Sequence, residues 1–422
     1  MHYELALLDL IGGNDLEFSG NPNELISAYA ADGYARINGF GAFVTTFGPG
    51  ELSAYCGQAG SFTEFVPVVH IVGYPAVSAM KARRIMHHTL GNGEVDHFEK
   101  MAAHISAATA VLIEASTAAS EIDRVLAAMI KYNQPVYIGV PVDIAYADTR
   151  RESVGPLLDT SLPPNDPQRE RGSDFNTGEF TDNVNAEAIT ELQRFFVKLG
   201  QEKHEVTAIG VLKNLLSDLK ASPLTRTSTA KVTWDPYPNK PEYQPKEKLT
   251  QDFIWPTLGK LVRPGDLVIT ETGTSAYGMV DAELPTGAMM YNQTIFGSIG
   301  YATGAAVGSF RAGKENGRVK RGILVTGEGS LQLTVQAFAD LLKHGTNPIM
   351  YVETTGANKN DFPKLIWHSF ILNNNGYTIE RLIHGKDAAY NKVPDWDYGA
   401  LARVFGPGYP SKYYGPIRHS KI

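Results

Sequence analysis

The sequence predicts an α/β protein made of two doubly wound parallel-sheet domains joined by a reduced middle segment. Three observations carry that prediction. Helical and strand patterns alternate from residue 20 to 145, and a second alternation starts at 250. The stretch between them is poor in strand patterns. The strand-like runs are continuous and β-branched, as strands covered by helices on both faces require.

The elements follow in order. Glu24 to Ile37 reads as a helix, Ala42 to Phe47 as a strand, Glu51 to Ala59 as a helix and Pro67 to Gly73 as a buried strand. Ala118 to Tyr132 is an amphipathic helix and Pro135 to Val140 a closing strand. Ahead of them, Leu5 to Ile11 is already apolar with helical periodicity. From 150 to 247 the chain is punctuated by Leu162-Pro163-Pro164-Asn165-Asp166-Pro167 and by Trp234-Asp235-Pro236-Tyr237-Pro238. Helices are expected there only near 186–199 and 207–219. The expected division is a first α/β domain at 1–150, a linker and domain remnant at 151–246, and a second α/β domain at 247–422. The strands of the second domain are Asp266 to Thr270, Gly322 to Thr326, and one split into Pro348–Met350 and Phe370–Leu372.

Composition narrows the function. An apolar share of 43% over 422 residues is ample for two cores. A net charge of −7 with no basic run excludes nucleic acid as the main partner. With Cys56 as the only cysteine, no intrachain disulfide can form, and a reducing compartment, the cytoplasm, is expected. No apolar run approaches the length of a membrane span, and Met1 to Glu4 lack the regions of a signal peptide.

Gly327-Glu328-Gly329-Ser330 follows the apolar run Gly322-Ile323-Leu324-Val325-Thr326 and precedes the helical run Leu331 to Leu342. Such a turn presents backbone N–H groups to an anion. The Glu328 carboxylate and amide oxygens from Asn373-Asn374-Asn375-Gly376 can hold a hard cation against that anion. Together they describe a diphosphate–magnesium site. No Gly-x-Gly-x-x-Gly follows the first strand, which removes a dinucleotide-binding reading.

Seven segments carry a resemblance. They are Asn23-Glu24-Leu25 with Ala28 to Arg36, Val44 to Gly48 with Gly50 to Ala54, and His87-His88-Thr89-Leu90-Gly91-Asn92-Gly93. The others are Ser173 to Gly178, Glu271-Thr272-Gly273-Thr274-Ser275-Ala276, Phe296-Gly297-Ser298-Ile299-Gly300 and the run Gly329 to Gln336. In these motifs and their order the chain resembles the fungal pyruvate decarboxylases, which use thiamine diphosphate and Mg2+ to decarboxylate 2-oxo acids. The fold implied is two domains of the thiamine-diphosphate-binding type.

The resemblance also implies roles. Taken alone, Glu24 is a carboxylate stabilised at a helix start, and His87 and His88 are surface histidines. By resemblance, Glu24 hydrogen-bonds the aminopyrimidine ring of the cofactor, and His87 and His88 shuttle protons near neutral pH. Glu380, otherwise a helix-capping side chain, lies over the reacting carbon. Thr272, Thr274, Gly297, Ser298, Ile299, Gly329 and Ser330 line the cofactor cleft, with Ile299 wedging the cofactor instead of filling a core. Glu328, Asn374 and Gly376 hold the metal. The family pairs Glu24 and the histidines of one subunit with the diphosphate site of another, so a homodimer or homotetramer is implied. Indolepyruvate or phenylpyruvate decarboxylase, or a remnant that only binds subunits or cofactor, are the alternatives.

Four departures from the family are expected to matter. The first strand is absent, His2 falling near the place of its aspartate, and the middle domain is much reduced. Glu328 stands where the family has aspartate. After Trp396-Asp397-Tyr398 the similarity fades, so the second domain is expected to be truncated. Glu328 and Asn374 are also 46 positions apart; removing residues 351–369 would shorten this to 27, the family's spacing, and join Pro348–Met350 to Phe370–Leu372 as one strand. Codons for Met350 to Val352 and for His368-Ser369 can carry splice signals, so a translated intron that breaks the strand ladder is expected. Together these departures predict weakened folding and little turnover.

Overall fold

The computed structural model describes residues 3–12, 16–148, 190–192, 196–199, 202–221, 250–280, 282–344, 348–351, 367–374, 376–385, 387–409 and 411–415. The chain divides into two compact units, Met1–Asp159 with Pro236–Ile422, and Thr160–Asp235. His2 and the motif Ser173 to Gly178 lie outside the described residues.

In the first sheet, β1 (Gly41–Thr46), β2 (Val68–Tyr74), β3 (Thr109–Val111) and β4 (Val136–Pro141) run parallel in the order β1-β2-β4-β3. Three of these were expected from their apolar runs, with bounds within one residue. The short β3 had no distinctive pattern of its own. The helix Glu24–Asn38 starts where Asn23 accepts the Ile26 N–H (2.9 Å) and stops at Gly39, whose φ of +98° suits glycine alone. The predicted helix at Leu5 is a single turn, Leu5–Leu8.

In the smaller unit, β5 (Thr190–Leu192), β6 (Val197–Leu199) and β7 (Glu202–His204) form an antiparallel sheet, followed by the helix Ala208–Ala221. The expected helix near 186–199 is therefore corrected. Leu192, Phe196 and Leu199 have helical spacing, but Leu192 pairs with Val197 across an antiparallel ladder, and Phe196 and Val197 are buried.

The second sheet contains β8 (Asp266–Thr270), β9 (Met289–Tyr291), β10 (Arg321–Gly327), β11 (Pro348–Tyr351), β12 (Trp367–Leu372) and β13 (Lys412–Tyr414). All its pairings are parallel, in the order β13-β11-β12-β10-β8-β9. Here the split-strand expectation is corrected. Pro348–Met350 and Phe370–Leu372 lie on neighbouring strands, not on one, with Met350 opposite Ser369. Trp367, His368 and Ser369 supply the first half of β12 and pair with Gly322, Ile323 and Leu324. The ladder beside β10 is thus complete, and β11 is displaced outward by one place.

A helix of the first half packs into the core of the second sheet. Ile26, Ala30 and Ile37 pack in one cluster with Leu267, Ile269, Ala302, Ala306 and Phe310. The helices Glu24–Asn38 and Tyr301–Glu315 approach to backbone contact through Gly33, Gly304 and Gly308. A Cβ at Gly33 would lie 2.6 Å from Ser309 Oγ, and one at Gly304 would lie 2.7 Å from Tyr29 Cβ. The buried Asp32 between them is paired with Arg36 (2.7 Å) and accepts from Ser61 Oγ (2.8 Å) and Tyr301 OH. That pairing offsets the cost of burying its charge. Among the described residues no helix is long and apolar enough to cross a membrane.

Candidate functional site

Parallel strands place their C-terminal ends, and the loops that follow, on one edge of the sheet. On the second sheet that edge carries the turns after β8, β10 and β12. Glu328 opens a seven-residue helix, Glu328–Thr334, directly after β10. Its Oε1 accepts the N–H of Gly376 (2.7 Å) and of Asn374 (3.3 Å). Residues 46 positions apart therefore meet, because β12 lies beside β10. The Asn374 amide, oriented by its neighbours, is 3.2 Å from Glu328 Oε1, 2.6 Å from the Gly376 carbonyl and 3.0 Å from Thr378 Oγ1.

A carboxylate, a carbonyl, a hydroxyl and an amide thus converge, an all-oxygen donor set once the amide presents its oxygen. Such a set fits a hard divalent cation such as Mg2+. Burial lifts the Glu328 carboxyl above the ordinary glutamate range, against the pull of the Gly376 N–H. The Arg381 charge also pulls it down, and burial outweighs both. Gly376 has φ +121°, and a Cβ there would press on Arg381 Nη2 at 2.9 Å. Gly329 lies under Tyr377, whose Cε1 would be 2.6 Å from an added Cβ. The predicted run Leu331 to Leu342 is two short helices, Glu328–Thr334 and Ala337–Lys343. An anion bound here would meet the N–H groups near Gly329 and the buried Ser330, with little macrodipole behind them.

A second group lies along the turn after β8. Thr272 Oγ1 donates to the Gln293 carbonyl (3.3 Å), and Gly297, with φ +62°, faces Thr272 Cγ2. Thr274 begins the helix Thr274–Val280. Ser298 N–H donates to Gln293 Oε1 (2.8 Å), and Ser298 Oγ lies 2.5 Å from Tyr29 OH. Ile299 is exposed at 39%, so it does not fill the core. Glu380, also exposed, sits in the first turn of the helix Thr378–His384.

A third group lies at the C-terminal end of β1. The Glu24 carboxylate sits beside Gly50, where a Cβ would be 3.2 Å from Glu24 Oε1. Gly48, with φ +73°, lies against the His88 carbonyl. His88 itself has φ +67°, unusual for a residue with a Cβ. The His87 and His88 rings are 4.7 Å apart, and Tyr3 stacks on His87 at 4.7 Å and donates to its carbonyl (3.2 Å). The Phe47–Gly50 turn therefore stands between Glu24 and the histidine loop. An open cavity of about 660 Å3 adjoins it, lined by Tyr3, Pro75, Met86, His87 and Val142 among others.

Several buried carboxyls had no role in the sequence reading, Glu51 and Glu271 among them. Glu51 accepts from Gly48 N–H (2.7 Å), Tyr55 OH (2.9 Å) and Tyr137 OH (2.6 Å). Glu271 sits directly after β8. Both lie inside motifs that were recognised, but only burial sets them apart from the exposed acids around them. Burial pushes Glu51 up to about 7 and Glu271 up to about 8. The buried His70 and the half-buried His368 are pushed down by desolvation, to about 3 and about 4.

These shifts set a pH dependence. A carboxyl raised on folding holds its proton more tightly in the folded chain, so its contribution to stability is lost as pH rises toward the folded value. The two histidines are neutral in the folded chain and, above about pH 7.5, in the unfolded chain too, so the small opposing slope they add fades toward that pH. Stability is expected to fall between about pH 6.5 and 8 and to level off above that, with a slope on the order of 1 kcal/mol per pH unit to which Glu51 adds little past about 7. Urea midpoints across that range check this, and a flat or rising series contradicts it.

Residues 2–99 match the family described as thiamine pyrophosphate enzyme, N-terminal TPP binding domain. Fold and match together define the class, the thiamine pyrophosphate enzymes. The chain is 32% identical to the pyruvate decarboxylase of Aspergillus terreus, over 98% of this chain and 84% of that one. It is 33% identical to the pyruvate decarboxylase of Candida glabrata and to pyruvate decarboxylase isozyme 3 of Saccharomyces cerevisiae. In both cases the match covers 96% of this chain and 84% of the relative. The chain belongs to the pyruvate decarboxylase family.

Proposed function

We propose that the chain is a thiamine-diphosphate- and Mg2+-dependent 2-oxo-acid decarboxylase that converts pyruvate to acetaldehyde and carbon dioxide. The contact of Glu328 with Asn374 and Gly376 carries this reading. It brings the three proposed metal ligands together at one end of the second sheet despite their long separation in sequence. Thiamine diphosphate, when bound, supplies the nucleophilic carbon and the electron sink that loss of carbon dioxide requires.

The residues then divide the work. Glu328, Asn374 and Gly376 hold Mg2+, with Gly329 and Ser330 against the diphosphate. Thr272, Thr274, Gly297, Ser298 and Ile299 shape the cleft. Glu24 holds a proton at the aminopyrimidine ring, and His87, His88 and Glu380 bind the 2-oxo acid and move protons. On this reading 1–150 is the pyrimidine-side domain, 247–422 the diphosphate-side domain and 151–246 the reduced middle segment. Ile295, Phe296 and Leu333 are exposed apolar side chains on or near the cleft segments, which suits a homodimer or homotetramer that covers them. A cytoplasmic setting accords with the single free Cys56.

The test is acetaldehyde formation from pyruvate by the purified chain, read through a coupled alcohol dehydrogenase. Product formed only with both thiamine diphosphate and Mg2+ supports the reading. Cofactor binding without acetaldehyde overturns its catalytic half and leaves a cofactor-binding subunit.

A further inference from the structure

We propose that Glu271 is a positioning residue that sets the cofactor cleft from beneath, one buried carboxylate tying together the three segments that form it. The inference rests on the reading of the cleft given above. Glu271 is 1% exposed and follows β8 directly. Its backbone is already fixed, by N–H donation to the Val325 carbonyl (2.9 Å) and by Ser275 Oγ donating to its own carbonyl (2.8 Å).

The side chain does something else. Oε1 accepts the N–H of Thr272 (3.1 Å), in the first cleft segment. Oε2 accepts the N–H of Ala302 (3.3 Å), and Gly300 N–H also donates to the carboxylate, both just past the Gly297–Ile299 loop. Oε2 lies 3.5 Å from Thr326 Oγ1, two residues before Glu328. Gly300 is tied onward, its carbonyl accepting from Thr334 Oγ1 (2.7 Å). Displacing this one carboxylate therefore releases Thr272, the 297–300 loop and the end of β10 together.

The chemistry explains why a glutamate stands there. The partners described for it are N–H and O–H donors, and no cationic side chain hydrogen-bonds it among the described residues. A carboxyl keeps accepting oxygens for these donors and, even with its proton in place, carries one donor at most, whereas an amide would turn two donors of its own against them. The N-terminus of the fifteen-residue helix Tyr301–Glu315 adds its dipole to the same side. Burying a carboxylate is costly without such partners, and strand and helix are already joined without it. What the arrangement adds is the placement of the cleft walls, where small displacements carry large losses.

The test uses the full chain and three measurements. Glu271→Gln is expected to weaken thiamine diphosphate binding in the presence of Mg2+ by about tenfold or more, as loss of supporting hydrogen bonds does. Thr326→Val, which removes one donor, is expected to weaken it by about threefold. Tryptophan fluorescence titration reads both, alongside the apo melting temperature. Hydrogen exchange on the unaltered apo protein is expected to show the Thr272, Gly300 and Ala302 amides protected together. In Glu271→Gln they should exchange faster while β1 and β2 are unchanged.

Wild-type affinity in Glu271→Gln overturns the inference. So does loss of affinity only in proportion to global unfolding, or exchange at the three amides as fast as in open loops. If the unaltered chain binds no thiamine diphosphate, the cleft reading itself fails and the positioning role falls with it. Exchange at the three amides then still decides whether the carboxylate ties them.

Discussion

Glu24→Gln is expected to lower acetaldehyde formation by about a hundredfold to ten-thousandfold, the range a lost general acid or base accounts for. The reasoning starts from the helix Glu24–Asn38. Asn23 caps it, so Glu24 occupies the first turn with its carboxylate beside Gly50. Glutamine keeps the volume and one acceptor oxygen but cannot gain or lose a proton. Binding of thiamine diphosphate, which on the proposed reading the second sheet mainly holds, is expected to change by less than about tenfold, since one hydrogen bond of many is altered. Proton exchange at the reactive carbon of bound thiamine diphosphate, followed by NMR in heavy water, should slow as much as turnover. Near-normal exchange in Glu24→Gln removes Glu24 from its proposed role.

Gly308→Ala is expected to destabilise the apo chain by about 3 kcal/mol, the upper part of the range for overpacking. The added Cβ would fall inside contact distance of the Ala30 carbonyl oxygen and lie 2.9 Å from the Tyr34 nitrogen. Backbone atoms cannot rotate away as a flexible side chain can. The two helices must move apart, opening the shared cluster of Ile26, Ala30, Ala302, Ala306 and Phe310. Gly12→Ala, where no atom lies within 4 Å of the added Cβ, is the matched control and should be close to neutral. Equal denaturation midpoints for the two variants would show that the helices do not pack at backbone contact.

Much of this was legible in the residues themselves. The strands 41–46, 68–74 and 136–141 are continuous β-branched runs bounded by turn residues, and that pattern is local. The turn at Gly327 to Ser330 was legible for the same reason. Residues 190–192 and 197–199 differ from the helix expected there because Leu192, Phe196 and Leu199 satisfy a helical period, while the chain turns back within a few residues so that Leu192 pairs with Val197 and Leu199 with Glu202. The split strand was misread because residues on both sides of 351–369 suit the same place beside β10. Only pairing energies decide that Trp367–Ser369 occupy it.

By itself the sequence determined the α/β class, the family and the residue types that a diphosphate–magnesium cleft needs. These depend on periodicity and on short motifs, which are properties of neighbours along the chain. Tertiary structure alone decided that Glu328 meets Asn374 across 46 positions, and that Gly33, Gly304 and Gly308 join two helices at backbone contact. It also decided that Glu51 and Glu271 are buried among donors while similar acids remain in water. Those facts depend on strand order and burial, and both are set by contacts between residues far apart in sequence.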